Sequence, residues 1–90
     1  MTFAELFQMI DDLLQGNYDP WAWSFDFPAE LIINQEKLKA ENLALFNELS
    51  EELPDICGWL DDEEEAVGYA PFKAKIEKEY LRIKKLFGMK

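Results

Sequence analysis

The first fourteen residues place apolar side chains at the i, i+3, i+4, i+7 spacing of one helix face. Thr2 and Glu5 have the spacing of a capping box at a helix start, and Gly16 is suited to a left-handed helix end. The pattern therefore predicts an amphipathic helix from Thr2 to Gly16. Its inward-facing side chains are expected to be Phe3, Leu6, Phe7, Ile10, Leu13 and Leu14.

The aromatic segment 19–28, DPWAWSFDFP, is compatible with two structures. Its aromatic residues alternate with small or polar ones, which is the period of a β-strand. However, no second strand-like run exists to pair with it, and a lone strand is not stable. Asp19 and Pro20 form a favourable N-cap and first-turn pair. We therefore predict one or two helical turns from Pro20 and a helix from about Pro28 to Ala40, with a strand as the alternative.

Two further helices follow in the second half of the chain. Helical spacing of leucine and phenylalanine predicts a helix from about Glu41 to Leu53, which Pro54 should bend or restart. Five adjacent carboxylates should oppose regular structure, so residues 61–68 are predicted to be a loop. The last helix is predicted from about Pro71 to Phe87, with Phe72, Ile76, Tyr80, Ile83 and Phe87 on one side.

These segments predict a single helical domain over residues 1–90, because ninety residues supply one hydrophobic core. The expected fold class is all-α: a small antiparallel four-helix bundle with a kinked or broken aromatic-rich second helix. No apolar run approaches the length of a membrane span, and the N-terminus lacks a signal pattern, so no membrane partner is expected. The single Cys57 cannot form an internal disulfide, which favours a cytoplasmic location.

Charge is distributed unevenly along the chain, whose formal net charge is −10. Residues 1–72 hold seventeen acidic and two basic residues, whereas residues 73–90 hold seven basic and two acidic ones. A field of this kind repels nucleic acid and attracts a basic partner. Direct nucleic-acid binding is therefore not expected, and the basic stripe of the last helix is interpreted as a solvated face rather than a binding site.

Catalytic chemistry has little support in the sequence. The chain has no histidine, and Cys57 lies in an apolar stretch that favours a buried packing thiol over a nucleophile. None of the four glycines belongs to a phosphate-binding loop. The run Asp61–Glu65 lacks the alternating ligands and central glycine of a calcium loop. We therefore predict no enzymatic activity, no cofactor and no metal site.

The acidic stretch 48–65 is the strongest candidate for a binding surface. Four carboxylates in its first half fall at helical spacing and lead directly into the five-residue acidic run. Solubility alone could explain such a surface, and Trp59 is equally compatible with core packing and with an interface. Tryptophan and tyrosine are, however, typical interface anchors. The predicted partner-binding residues are Glu48, Glu51, Glu52, Asp55, Trp59, Asp61, Asp62, Glu63, Glu64, Glu65 and Tyr69.

The sequence ELSEELPDICGWLDDEEE (48–65), followed by YAPFKAKIEKEYLRI (69–83), resembles the small bacterial immunity proteins of the colicin D immunity-like kind. These occur with colicins and with contact-dependent or polymorphic toxin systems. The resemblance extends over nearly the whole chain, in length, order of features and acidity. It implies a helical bundle without enzymatic activity that binds and neutralises a toxin made by the same cell.

In that family the toxin is often an RNase, commonly one that attacks tRNA, and carboxylates cover its basic substrate cleft. The resemblance assigns this role to Glu51, Glu52 and Asp55, and also to Asp61, Asp62 and Glu63. We expect the ordered helix to supply geometric recognition and the acidic run to supply steering. The expected oligomeric state is a monomer or weak homodimer. The alternative function is an acidic helical adaptor for a basic cellular protein; a small metal-dependent enzyme is the least supported.

Overall fold

A computed structural model describes residues 1–89, which fold into five α-helices and one 3₁₀ helix with no strand among them. The all-α class is therefore confirmed. The finer prediction of an antiparallel four-helix bundle is not confirmed in that detail. The elements are α1 (Phe3–Leu14), α2 (Pro20–Ile33), α3 (Gln35–Glu41), α4 (Leu43–Gly58), the 3₁₀ helix (Asp62–Val67) and α5 (Ala70–Leu86).

Helix α1 begins and ends as its sequence predicts. The Glu5 backbone N–H donates to Thr2 Oγ1 over 3.2 Å, and the Thr2 N–H donates to the Glu5 carboxylate over 3.1 Å. These two bonds satisfy backbone donors that a helix start otherwise leaves unpaired. At the other end, Gly16 has a φ of 83°, a conformation that glycine adopts without the clash of a Cβ atom.

Helix α2 continues through Pro28 instead of restarting there. The prediction of a short helix at Pro20 and a new one from Pro28 to Ala40 is wrong, and so is the strand alternative. The chain breaks at Asn34, between α2 and α3. Proline inside a helix costs about 3 kcal/mol. Burial of Trp23, Phe27 and Leu31, which are spaced four residues apart on one face, offsets this cost.

Trp23 lies at the centre of the core. Its side chain is fully buried and stacks on Phe27 with ring centroids 4.6 Å apart, while Phe72 of α5 packs edge-on against it. The indole N–H donates to the Met9 carbonyl over 2.9 Å, so burial leaves no polar atom of the ring unpaired. The expectation that the aromatic segment fills the core holds only for part of it, because Trp21 and Phe25 are exposed.

Helix α4 also continues through a proline, Pro54, and reaches Gly58. The helix was predicted to reach about Leu53 and to bend or restart at Pro54, and the structure shows that it does not restart there. Leu49, Leu53 and Cys57 are buried at four-residue spacing across the proline, which holds the helix in one piece. α4 packs against α2, α3 and α5, and α1 packs against α2 and α5. These contacts determine which side of α4 faces the solvent.

No helix within residues 1–89 is long and apolar enough to cross a membrane.

Candidate protein-binding surface

Helix α4 presents three carboxylates on its solvent face. The Leu45 backbone N–H donates to Asn42 Oδ1 over 3.1 Å at the helix start, and leucine burial sets the rotation of the helix. Successive residues turn by about 100°, so the side opposite the core receives Glu51, Glu52 and Asp55. All three are exposed, and we call them the outer α4 acids. The structure thus brings together the three helix positions that the resemblance selects.

Glu48 differs from its neighbours on α4. Its Oε2 lies 2.6 Å from Nη2 of Arg82 on α5, and the same guanidinium also pairs with Glu79. The two carboxylates raise the pKa of Arg82, so the group stays charged. Glu48 was predicted to bind a partner, but its charge is already matched within the fold. Arg82 would have to exchange partners before Glu48 could act as predicted.

Residues 61–68 are not the predicted loop: residues 62–67 form a 3₁₀ helix held by two of their own acidic neighbours. Asp61 Oδ1 accepts the Glu63 N–H over 2.9 Å, and Glu64 Oε2 accepts the Asp61 N–H over 3.4 Å. Carboxylates at a helix start satisfy unpaired N–H groups and interact favourably with the helix dipole. The like-charge repulsion that suggested an irregular loop is offset by these contacts.

Glu64 also joins the 3₁₀ helix to α5. Its Oε1 accepts the backbone N–H of Phe72 over 3.1 Å, in the first turn of α5. Because the N-cap residue of α5 makes no side-chain capping bond, Glu64 takes that role from eight residues away. The acidic run therefore divides by function. Asp61 and Glu64 hold the backbone, whereas the outer 3₁₀ acids, Asp62, Glu63 and Glu65, are exposed.

Trp59 lies at the C-terminal end of α4, between the two groups of acids along the chain. Its side chain is 82% exposed, which excludes the core-packing alternative. An indole as exposed as this one leaves a large apolar surface in contact with water. Val67, at the end of the 3₁₀ helix, is exposed as well. Val67 was not among the predicted binding residues, although a valine two residues after a run of five acids is unusual enough to suggest an exposed apolar contact.

Tyr69 occupies a strained junction before α5. Its φ of 57° lies in the left-handed region, which costs a residue other than glycine about 1 kcal/mol or more, and it directly follows Gly68 at 64°. The ring is half-buried against the core. Desolvation raises the pKa of Tyr69, and the charges of Glu65 and Asp19 add to the effect. Tyr69 was predicted as an interface anchor; the structure gives it a packing role and leaves part of the ring accessible.

Cys57 does not supply a reactive thiol to this surface. Cys57 is buried beneath the outer α4 acids, and burial raises the pKa of its thiol to about 12, so it is not a thiolate near neutral pH. Within residues 1–89, no three histidine, cysteine or acidic side chains are placed to share a metal ion. The exposed carboxylates of this surface can accept hydrogen bonds and pair with cations, and the exposed indole of Trp59 can form apolar contacts.

Comparison with protein-family models, curated proteins and solved structures found no match for this chain.

Proposed function

We propose that this chain is a non-enzymatic binding protein that covers a basic surface of a protein toxin, as an immunity protein does. The observation that carries the proposal is the 82% exposure of Trp59 between two sets of outward carboxylates. Tryptophan is among the residues that dominate interface energetics when a partner desolvates it. Its neighbours supply the charge and Trp59 supplies the apolar anchor.

A nuclease domain is the partner class that we propose for this surface. A nuclease cleft carries lysine and arginine side chains spaced to contact phosphates, and carboxylates can form short charge-assisted hydrogen bonds with them. The outer α4 acids stand on a helix fixed by the core, which preserves their spacing on binding. The outer 3₁₀ acids extend the negative field and should accelerate association. The sequence resemblance to immunity proteins supports the same class.

The test uses the protein encoded immediately upstream of this chain's gene, expressed with and without its partner. We expect the two purified proteins to associate tightly at low salt and the toxin activity to be lost. Glu51→Lys with Glu52→Lys should weaken association at least tenfold. Glu36→Lys with Glu41→Lys makes the same charge change at two exposed positions of α3 and serves as the matched control.

Three outcomes would contradict the proposal. The first is an upstream protein that neither binds nor loses activity. The second is equal loss of affinity in the α3 and α4 variants, which would reduce the effect to net charge. The third is capture of a basic cellular protein with no toxin inhibited, which would favour the adaptor alternative.

A further inference from the structure

A groove separates α2 from α4 on the face where both helices contain a proline. It consists of two adjoining cavities of about 400 and about 300 Å³, and Pro28 and Pro54 line both of them. One cavity extends toward Trp21 and Leu60, and the other toward Ile32. The two cavities together extend along α2 from Trp21 to Ile32, and two of the outer α4 acids, Glu51 and Asp55, directly follow lining residues of α4 in the sequence.

The walls of this groove are apolar and open to solvent. Phe25 is 61% exposed and packs edge-on against Trp21, which is 40% exposed; Ile32 further along α2 is 69% exposed. None of the residues lining the two cavities is charged. Contiguous exposed apolar side chains that line a groove are a common sign of a binding site.

Each cavity is lined by one serine, Ser24 in one and Ser50 in the other, and a serine hydroxyl can donate or accept a hydrogen bond. Both helices contain the pattern Ser-x-x-x-Pro, at Ser24 with Pro28 and at Ser50 with Pro54. Because proline has no N–H, the carbonyl four residues before it loses its helical donor. The Ser24 hydroxyl donates to the Trp21 carbonyl, whereas Ser50 Oγ is buried without a partner. An unpaired buried polar atom is costly, so a partner that forms a hydrogen bond with the Ser50 hydroxyl, as donor or as acceptor, would be favoured.

Negative charge lies along one edge of the groove. Glu51 follows Ser50, and Asp55 follows Pro54, so both stand next to lining residues on α4. Neither α2 nor α4 contains a lysine or arginine. A partner that fills the groove therefore meets apolar walls, the unpaired Ser50 hydroxyl and a rim of carboxylates.

We propose that the α2–α4 groove is the docking site for a basic amphipathic segment of the protein partner. The apolar side chains of that segment would fill the groove, and its lysine or arginine side chains would pair with Glu51 and Asp55. This inference rests on the proposed function, and it names the part of the partner that is recognised. It adds an apolar anchor site to the one at Trp59.

Gly58 allows the groove to be blocked without disturbing the fold. It lines the cavity near Leu60, and a Cβ added there would meet no atom within 4 Å. Gly58→Leu therefore places a side chain over the groove at a helical position where glycine itself is unfavourable. We expect this variant to unfold at the same or a higher urea concentration than the natural protein.

The experiment measures binding of two synthetic lysine–leucine peptides of identical composition by titration calorimetry. One has leucines at i, i+3, i+4 and i+7, and the other has them in scrambled order. The ordered peptide should bind the natural protein at least tenfold more tightly than the scrambled one. Gly58→Leu should abolish that difference, and Glu51→Lys should weaken the ordered peptide more than Glu52→Lys, which points about 100° further from the groove.

Equal binding of the two peptides would overturn the groove proposal, and so would an unchanged preference in Gly58→Leu. Neither result bears on the proposed function, which is tested by the toxin itself and by variants of the outer acids. Sedimentation of the free protein provides one further check. A dimer that Gly58→Leu converts to monomer would show that a second copy occupies the groove, and this too would overturn the proposal.

Discussion

The two acidic regions of this protein carry similar charge but are supported by different structure. The outer α4 acids stand on a helix whose other side is buried in the core through Leu49, Leu53 and Cys57. The 3₁₀ helix has no buried residue, and its start is held by backbone N–H groups that donate to the Asp61 and Glu64 carboxylates. The outer α4 acids are therefore available to a partner, whereas Asp61 and Glu64 of the acidic run already accept backbone hydrogen bonds.

The number of acidic residues in a segment therefore does not show how many of them can contact a partner. The longest acidic run supplies three free carboxylates, and the sparser acids of α4 supply the same number on a more firmly held element. A preorganised group loses less conformational entropy on binding than one on a locally stabilised segment. We therefore expect α4 to determine affinity and the 3₁₀ helix to determine association rate.

The largest expected effect separates these two roles. Reversing all three outer α4 acids to lysine should weaken toxin binding by about 100- to 1000-fold, because close charge pairs at an interface couple by roughly 2–5 kcal/mol. Reversing Asp62, Glu63 and Glu65 should lower the association rate by about tenfold with a smaller change in dissociation. Surface plasmon resonance at two salt concentrations measures both rates. Equal effects on dissociation would remove the distinction between the regions.

A second prediction concerns the buried side of α4. The pKa of Cys57 is raised from 9.0 to about 12 by burial, so the unfolded chain releases this proton first as pH rises. The contribution of the buried thiol to the unfolding free energy is therefore fully present below about pH 9 and is lost progressively as the pH rises toward 12. The urea midpoint should fall over this range, and less steeply in Cys57→Ala. Parallel pH profiles for the two proteins would show that the thiol does not contribute.

A third prediction tests the division of roles within the acidic run. Glu64→Ala removes the acceptor of the Phe72 and Asp61 N–H groups and should cost about 1–2 kcal/mol of unfolding free energy. Glu63→Ala changes the same charge at an exposed position and should stay within about 0.5 kcal/mol. Urea unfolding measures both, and hydrogen exchange should show faster exchange of the Phe72 amide in Glu64→Ala alone. Equal stability of the two variants would contradict the capping role.

The smallest expected effect concerns the one α4 carboxylate that is paired. Glu48→Gln removes the ion pair with Arg82, which is exposed and still holds Glu79, so the cost should be below about 1 kcal/mol. Toxin affinity should change less than for Glu51→Gln, because the charge of Glu48 is already matched. A larger loss of affinity for Glu48→Gln would show that Arg82 exchanges partners on binding.

Periodicity predicted the elements whose boundaries are chemically marked. Thr2, Glu5 and Gly16 delimit α1 through local hydrogen bonding and glycine conformation, and these depend only on neighbouring residues. The start of α5 is predicted to within one residue. A new helix does not start at Pro28 or at Pro54, because buried residues on both sides of each proline favour one continuous helix. Only the folded core shows that burial of these side chains stabilises the helix by more than the proline destabilises it.

The candidate site, too, was predicted only in part from the sequence. Helical spacing placed Glu48, Glu51, Glu52 and Asp55 on one side of a helix. The structure exposes the last three and pairs Glu48 with Arg82. The exposure of Trp59 could not be predicted, because tryptophan is common both in cores and at interfaces. The groove was missed altogether. The paired Ser-x-x-x-Pro pattern was visible in the sequence, but its meaning requires that α2 and α4 lie side by side.

By itself, the sequence determined the all-α class, the ends of α1, the acidity of residues 1–72 and the basic last helix. These follow from local periodicity, capping and charge, which act between residues close in the chain. Tertiary structure decided that both prolines stay inside helices, that Glu64 caps α5 and that Trp59 faces water. Each of these depends on contacts between distant segments, where burial outweighs local preference.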